Sequence, residues 1–130
     1  RLNSMFTPEN IEKLEPEQIF VFGSNMGGVH AGGAARYAAE RFGAAEGVGE
    51  GLTGQSYAFP TLNEDFSKRT LPQIRDSVLN LYECAEKNKQ KVFLVTLVGC
   101  GIAGFTKEEM RECFIDYDKP ENVLLPKEFS

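Results

Sequence analysis

The chain has 130 residues, a formal net charge of -5 and three cysteines. This length makes one domain, spanning 1–130, with a core large enough to stand without disulfides or a structural metal, and no apolar run reaches membrane-spanning length. The 14 Lys and Arg are scattered among 19 Asp and Glu, which excludes the basic face that a nucleic-acid polymer requires.

The three cysteines (Cys84, Cys100, Cys113) lack metal-ligand spacing, and the start at Arg1 lacks a signal-peptide pattern. Together they set the expectation of a reducing, cytoplasmic setting. In chain order, Thr7-Pro8 predicts a short helix, with Thr7 as cap, running to about Leu14. Gln18 to Phe22 is an apolar strand without alternation, as expected for a strand buried on both faces of a parallel sheet. Gly23 to Gly33 is a loop of small residues, Gly33 to Phe42 an alanine-rich helix, and Gly43 its C-terminal stop. Gly47 to Gly54 is a second loop, and Ser56 to Phe59 a strand ended by Pro60.

Leu71 to Asn88 is the clearest helix. Leu71, Ile74, Val78, Leu81 and Ala85 recur at helical spacing, and Thr70-x-x-Gln73 forms a capping box. Lys91 to Val98 reads as the central strand, Thr106 to Tyr117 as a helix and Asn122 to Leu125 as a last strand. Strands alternating with helices predict an α/β fold of three α/β/α layers, with a largely parallel or mixed sheet. Both Gly23–Gly33 and Gly99–Gly104 follow strands and precede helices, so they fall at the ligand-binding edge of such a sheet.

Ten of the 13 glycines lie between Gly23 and Gly54, and the other three in Gly99–Gly104. Two G-x-G-x-x-G matches occur. Gly49–Gly54 follows a helix and precedes a strand, the reverse of the order that phosphate binding needs. Gly99–Gly104 has the right order: strand, glycines, then a capped helix start at Thr106, whose backbone N–H groups and dipole suit an anion. The alternative is a tight turn without a ligand. No Gly-Lys-Ser/Thr follows either cluster, which excludes a Walker-type loop.

Phe20-Val21-Phe22-Gly23-Ser24-Asn25, then Gly27-Gly28-Val29-His30-Ala31-Gly32-Gly33-Ala34-Ala35, then Thr96–Phe105 resemble the layout of a macro domain. The span Ile19–Phe114 is similar to small macro-like proteins of bacteria and phages, with Phe-Gly-Ser-Asn, a loop His and Ser-Tyr-Ala-Phe-Pro-Thr. The resemblance implies a macro domain-like fold and binding of ADP-ribose or a related ADP-ribosyl or phosphorylated nucleotide derivative. Some macro domains also hydrolyse such esters. It places the Gly99-Cys100-Gly101-Ile102-Ala103-Gly104 loop on the diphosphate, with Gly32, Gly33 and Ala34 opposite. Asn25 falls against the distal ribose, Gly23, Ser24, Gly27 and Gly28 are further ligand-binding candidates, and Phe105 lies beside a sugar or base. Two features of the pattern are missing: an acidic residue for adenine, for which Glu17 is a poor candidate, and an aromatic near Ala103. The N-terminal strands of a full-length macro domain are also not in this sequence.

As an enzyme the chain uses Asn25 to orient the reacting group and His30, its only histidine, to move protons. Each has a plain alternative: an Asx-turn residue for Asn25, and a loop histidine bonded to backbone for His30. Cys100 reads as a small buried thiol rather than a nucleophile. Tyr57 and Phe59 serve the core, and Glu46 and Glu50 are loop carboxylates. Asp65, Asp76 and Asp116 form no metal cluster, and no cofactor is expected. A non-catalytic nucleotide or phosphosugar binding module is the alternative to an enzyme, and an interaction protein with structural glycines is a further one.

Overall fold

The computed structural model describes residues 6–130. Five strands form one sheet: β1 (Gln18–Asn25), β2 (Gly51–Thr53), β3 (Ser56–Leu62), β4 (Val92–Val95) and β5 (Val123–Leu124). Three helices accompany them: α1 (Gly33–Arg41), α2 (Leu71–Glu86) and α3 (Lys107–Ile115). The strand order is β2-β3-β1-β4-β5, parallel throughout except for β2, which runs antiparallel to β3 at one edge. The sheet is therefore mixed, within the expected α/β/α layering.

Alternation along the central strand explains the layers. Phe20 and Phe22 point to one face and pack with Ala35 and Ala38 of α1, Phe42, and Ala58 of β3. Ile19 and Val21 point to the other, where Tyr57, Phe59 and Phe93 meet Ile74, Val78 and Leu81 of α2 and Met110 and Phe114 of α3. Because both faces are covered, the strands read as continuous apolar runs. Phe59, Phe114 and Phe129 stack in series with ring centroids 5.4 Å apart at each step. Each buried ring contributes roughly 1.5–3 kcal/mol through area removed from water. The alanines of α1 bring that helix close to its face, as the small side chains imply.

The capping box at Thr70/Gln73 forms as read, with Thr70 Oγ1 accepting from the Gln73 amide and Gln73 Oε1 accepting from the Thr70 amide. Several boundaries differ from the sequence reading. Residues 7–14 are not helical. Instead the Thr7 amide donates to the Leu125 carbonyl at 2.9 Å and its hydroxyl to the Leu124 carbonyl, extending the sheet beside β5. Tertiary pairing here outweighs a local cap signal.

β1 runs on to Asn25, because β3 continues alongside and pairs with Gly23 and Ser24. Pro60 does not end β3. Its carbonyl accepts from Arg69 Nη1 at 2.8 Å on the side away from β1. A missing N–H on that same side costs no ladder bond. Part of the Gly47–Gly54 loop is β2, a short edge strand without an apolar run to announce it. β4 stops at Val95, and Thr96 turns away with its hydroxyl donating to the Val21 carbonyl at 2.7 Å.

Candidate ligand-binding cleft

β1 leads into α1 on one face of the sheet, while β4 leads into α3 on the other. The connections diverge at the carboxyl ends of two adjacent parallel strands, which is where open α/β sheets form crevices. A cleft of about 510 Å³ opens there. It brings together Gly23, Ser24 and Asn25 from the end of β1, Gly32, Gly33 and Ala34 from the start of α1, and Gly99, Gly101, Ile102 and Ala103 from the second glycine loop.

The remaining residues singled out in the sequence lie elsewhere. Gly27, Gly28, His30, Cys100, Gly104 and Phe105 are not in the cleft wall. A Cβ on Gly28, whose φ is +69°, would fall 2.4 Å from the Gly47 carbonyl carbon and the Val48 nitrogen, so this glycine serves loop packing. Phe105 is 5% exposed and packs in the core. His30 is 5% exposed, and its ring lies edge-on to Phe22 and holds Nε2 3.0 Å from the Ala45 carbonyl oxygen. Its backbone amide donates to the Glu46 carboxylate. The Asn25 side chain bonds Val29 twice, Nδ2 donating to the Val29 carbonyl and Oδ1 accepting from the Val29 amide. The His30 contact is that of a loop histidine bonded to backbone, and Asn25 bridges to Val29 four residues on rather than closing an Asx-turn. Burial pushes the Cys100 thiol above its ordinary range, an effect partly offset by Lys107, and a thiol in that state is a poor nucleophile at neutral pH.

Two sets of backbone donors without a protein acceptor belong to residues of the cleft wall. Gly32 caps α1 without any side-chain bond, and the first turn carries no acidic residue. The amides of Gly33, Ala34 and Ala35 thus have no acceptor among the described residues. Across the cleft, the amides of Gly101, Ile102 and Ala103 are equally unclaimed, because the loop's turns use only the amides of Cys100, Gly104 and Phe105. The start of α3 lies outside the cleft wall. Thr106 and Glu109 cap it reciprocally, Glu108 and Glu109 fill its first turn, and the cleft wall ends at Ala103. The helix start that lines the cleft is that of α1, through Gly32, Gly33 and Ala34, whereas the sequence reading points to the Thr106 helix.

Among the described residues, no charged or titratable side chain lines the cleft. In a chain of net charge -5, a wall free of carboxylates with six unpaired N–H groups suits an anion held by backbone dipoles. Comparison with family models, curated proteins and solved structures finds no match to this chain. Among the described residues no group of His, Cys, Asp and Glu is placed to hold a metal, and no helix is long and apolar enough to cross a membrane.

Among the other residues of the wall, Thr61, Leu62, Phe66 and Thr96 are not candidate site residues in the sequence reading. The first three follow from the extension of β3 past Pro60 and from the turn beyond it. Thr96 is exposed to the cleft by the early end of β4. Thr61 and Thr96 hydroxyls donate to the Ser24 and Val21 carbonyls and so tie β3 and β4 to β1 at the rim. A second hollow of about 350 Å³ shares Gly33, Ala34 and Thr96 with the cleft, and is walled by Phe20, Tyr37, Ile11, Glu9 and Asn10.

Proposed function

We propose that this chain binds ADP-ribose or a closely related ADP-ribosyl or phosphorylated nucleotide derivative, with the diphosphate between the first turn of α1 and the Gly99–Ala103 loop. The six unclaimed backbone amides in a cleft without carboxylates carry this reading. Pockets for ligands of this size span roughly 300–1,000 Å³, and the cleft falls within that range. The adjoining hollow offers the Phe20 and Tyr37 rings as an apolar wall and Glu9 and Asn10 as polar partners, a composition suited to a nucleobase.

Binding without turnover is the form of this function that the wall favours. General acid–base catalysis needs a titratable group within hydrogen-bond reach of the reacting atoms, and among the described residues none lines the cleft. Calorimetric titration with ADP-ribose, with AMP, ADP and NAD alongside, tests the reading. Saturable binding that prefers ADP-ribose, with no product on prolonged incubation, is the expected result. Equal affinity for AMP or a sugar phosphate points instead to a general phosphosugar module. Absence of heat with every compound leaves the glycine loops as architecture alone.

A further inference from the structure

We propose that Phe66 is a specificity-determining contact that recognises the distal sugar of the ligand, so that the cleft distinguishes ADP-ribose from ADP. The inference rests on the diphosphate reading given above.

Phe66 sits on the hairpin that follows β3 and contributes to the cleft wall. The residue is 56% exposed, although it carries the largest apolar side chain of the turn. Its φ is +68°, and among the described residues it is the only non-glycine with a positive φ. A bulky residue in the left-handed region is costly where glycine is free. The hairpin nonetheless holds it there. The Phe66 amide donates to the Asn63 carbonyl, the Asn63 amide donates to the Ser67 carbonyl, and Asp65 Oδ1 accepts from both the amide and the hydroxyl of Ser67. Strain maintained by this many bonds, with an aromatic ring turned out beside a cleft, has its use in the cleft.

The position of the ring selects the part of the ligand it meets. The cleft joins the Phe20/Tyr37 hollow at Gly33, Ala34 and Thr96, while Phe66 stands with Thr61 and Leu62 at the end of β3, the far side of β1 from β4. A diphosphate between the two sets of amides therefore directs its base toward Phe20 and its other substituent toward Phe66. Phe105, the aromatic that the sequence offered for a sugar, is buried beneath Lys68, whose Nζ lies 4.3 Å from that ring's centroid. Lys68 Nζ also donates to the Gly104 carbonyl, tying the Phe66 hairpin to the second glycine loop. Phe66 is the ring left to face a sugar.

The test compares ADP-ribose with ADP, which lacks the distal sugar, on three proteins: wild type, Phe66→Gly and Phe66→Trp. Glycine removes the ring and relieves the left-handed φ, so thermal unfolding of Phe66→Gly occurs no lower than wild type. Its affinity for ADP-ribose falls about tenfold, the scale of a lost stacking contact, while its affinity for ADP is unchanged. The chain contains no tryptophan, so Phe66→Trp carries a single indole whose emission responds to ADP-ribose and not to ADP. Unchanged ADP-ribose affinity in Phe66→Gly, equal losses for both ligands, or a silent indole overturns the role of Phe66 and leaves the binding reading intact. Failure of the wild type to bind either ligand overturns both.

Discussion

Gly101 and Gly28 carry the same side chain for different reasons. Gly101 has no left-handed φ and nothing within 4 Å of where a Cβ would lie, so the fold itself tolerates a side chain there. Its amide is nevertheless one of the unclaimed donors, and a side chain would fill the space a ligand needs. Gly101→Val should change stability by less than about 0.5 kcal/mol and weaken ADP-ribose binding by roughly tenfold or more, the worth of one charged hydrogen bond. Gly28→Ala should behave in the opposite way, because its Cβ would overlap backbone atoms. Urea unfolding should show a loss above about 2 kcal/mol. His30 tests the same division: its ring packs on Phe22 and bonds Ala45 away from the cleft. His30→Ala should cost about 2–4 kcal/mol of stability through the cavity it leaves, while the folded fraction binds ADP-ribose as before. Intact stability with lost affinity or turnover would return His30 to the site.

The two helix starts beside the glycine loops show how an element is committed to structure or to a ligand. At α3, the Thr106/Glu109 capping box satisfies the Thr106 and Glu109 amides, and two glutamates in the first turn oppose an incoming anion. At α1, Gly32 leaves its donors open and Ala34 is exposed on the cleft wall. Ala34→Glu places a carboxylate in that first turn, where the dipole should stabilise the helix by about 0.3–1 kcal/mol. The same carboxylate should repel a diphosphate, so calorimetry should record lost ADP-ribose binding in a protein of equal or higher melting temperature. Thr106→Ala should do the reverse, costing about 1 kcal/mol of stability through the lost cap with affinity retained. Loss of affinity in Thr106→Ala alone would mean that α3, not α1, holds the anion.

Across the whole molecule, burial on both faces of the sheet also governs behaviour at high pH. Burial, reinforced at Tyr57 by Glu50, pushes the hydroxyls of Tyr57 and Tyr82 far above their ordinary value of 10.0. The Tyr82 hydroxyl also donates to the Phe114 carbonyl. Burial pushes the Cys113 thiol up from its ordinary 9.0 in the same way. The folded chain keeps these protons after the unfolded chain has released them, so this stability is complete below the unfolded values and declines as pH rises past them. The urea midpoint should hold steady to about pH 9 and fall steadily beyond about pH 10. A flat profile through that range would show that the tyrosines ionise without unfolding.

The sequence by itself determined the α/β class, the helices α1, α2 and α3, and the two glycine-rich segments after β1 and β4. These rest on local signals: helical spacing of apolar residues, the capping boxes at Thr70 and Thr106, and strands flanked by glycine. Only the tertiary structure decided what lay across the chain. Thr7 carries a helix-cap signal but pairs beside β5, and Pro60 carries a strand-end signal but sits where its missing N–H is harmless. β2 is held by its partner rather than by its own pattern. That the start of α1 lines the cleft and the start of α3 does not depended on how the strand ends come together. The placing of His30 under the loop and Phe66 on the wall depended on contacts between residues far apart in sequence. Local propensity acts within a few residues, whereas a cleft is formed by strand ends that meet only once the sheet is assembled.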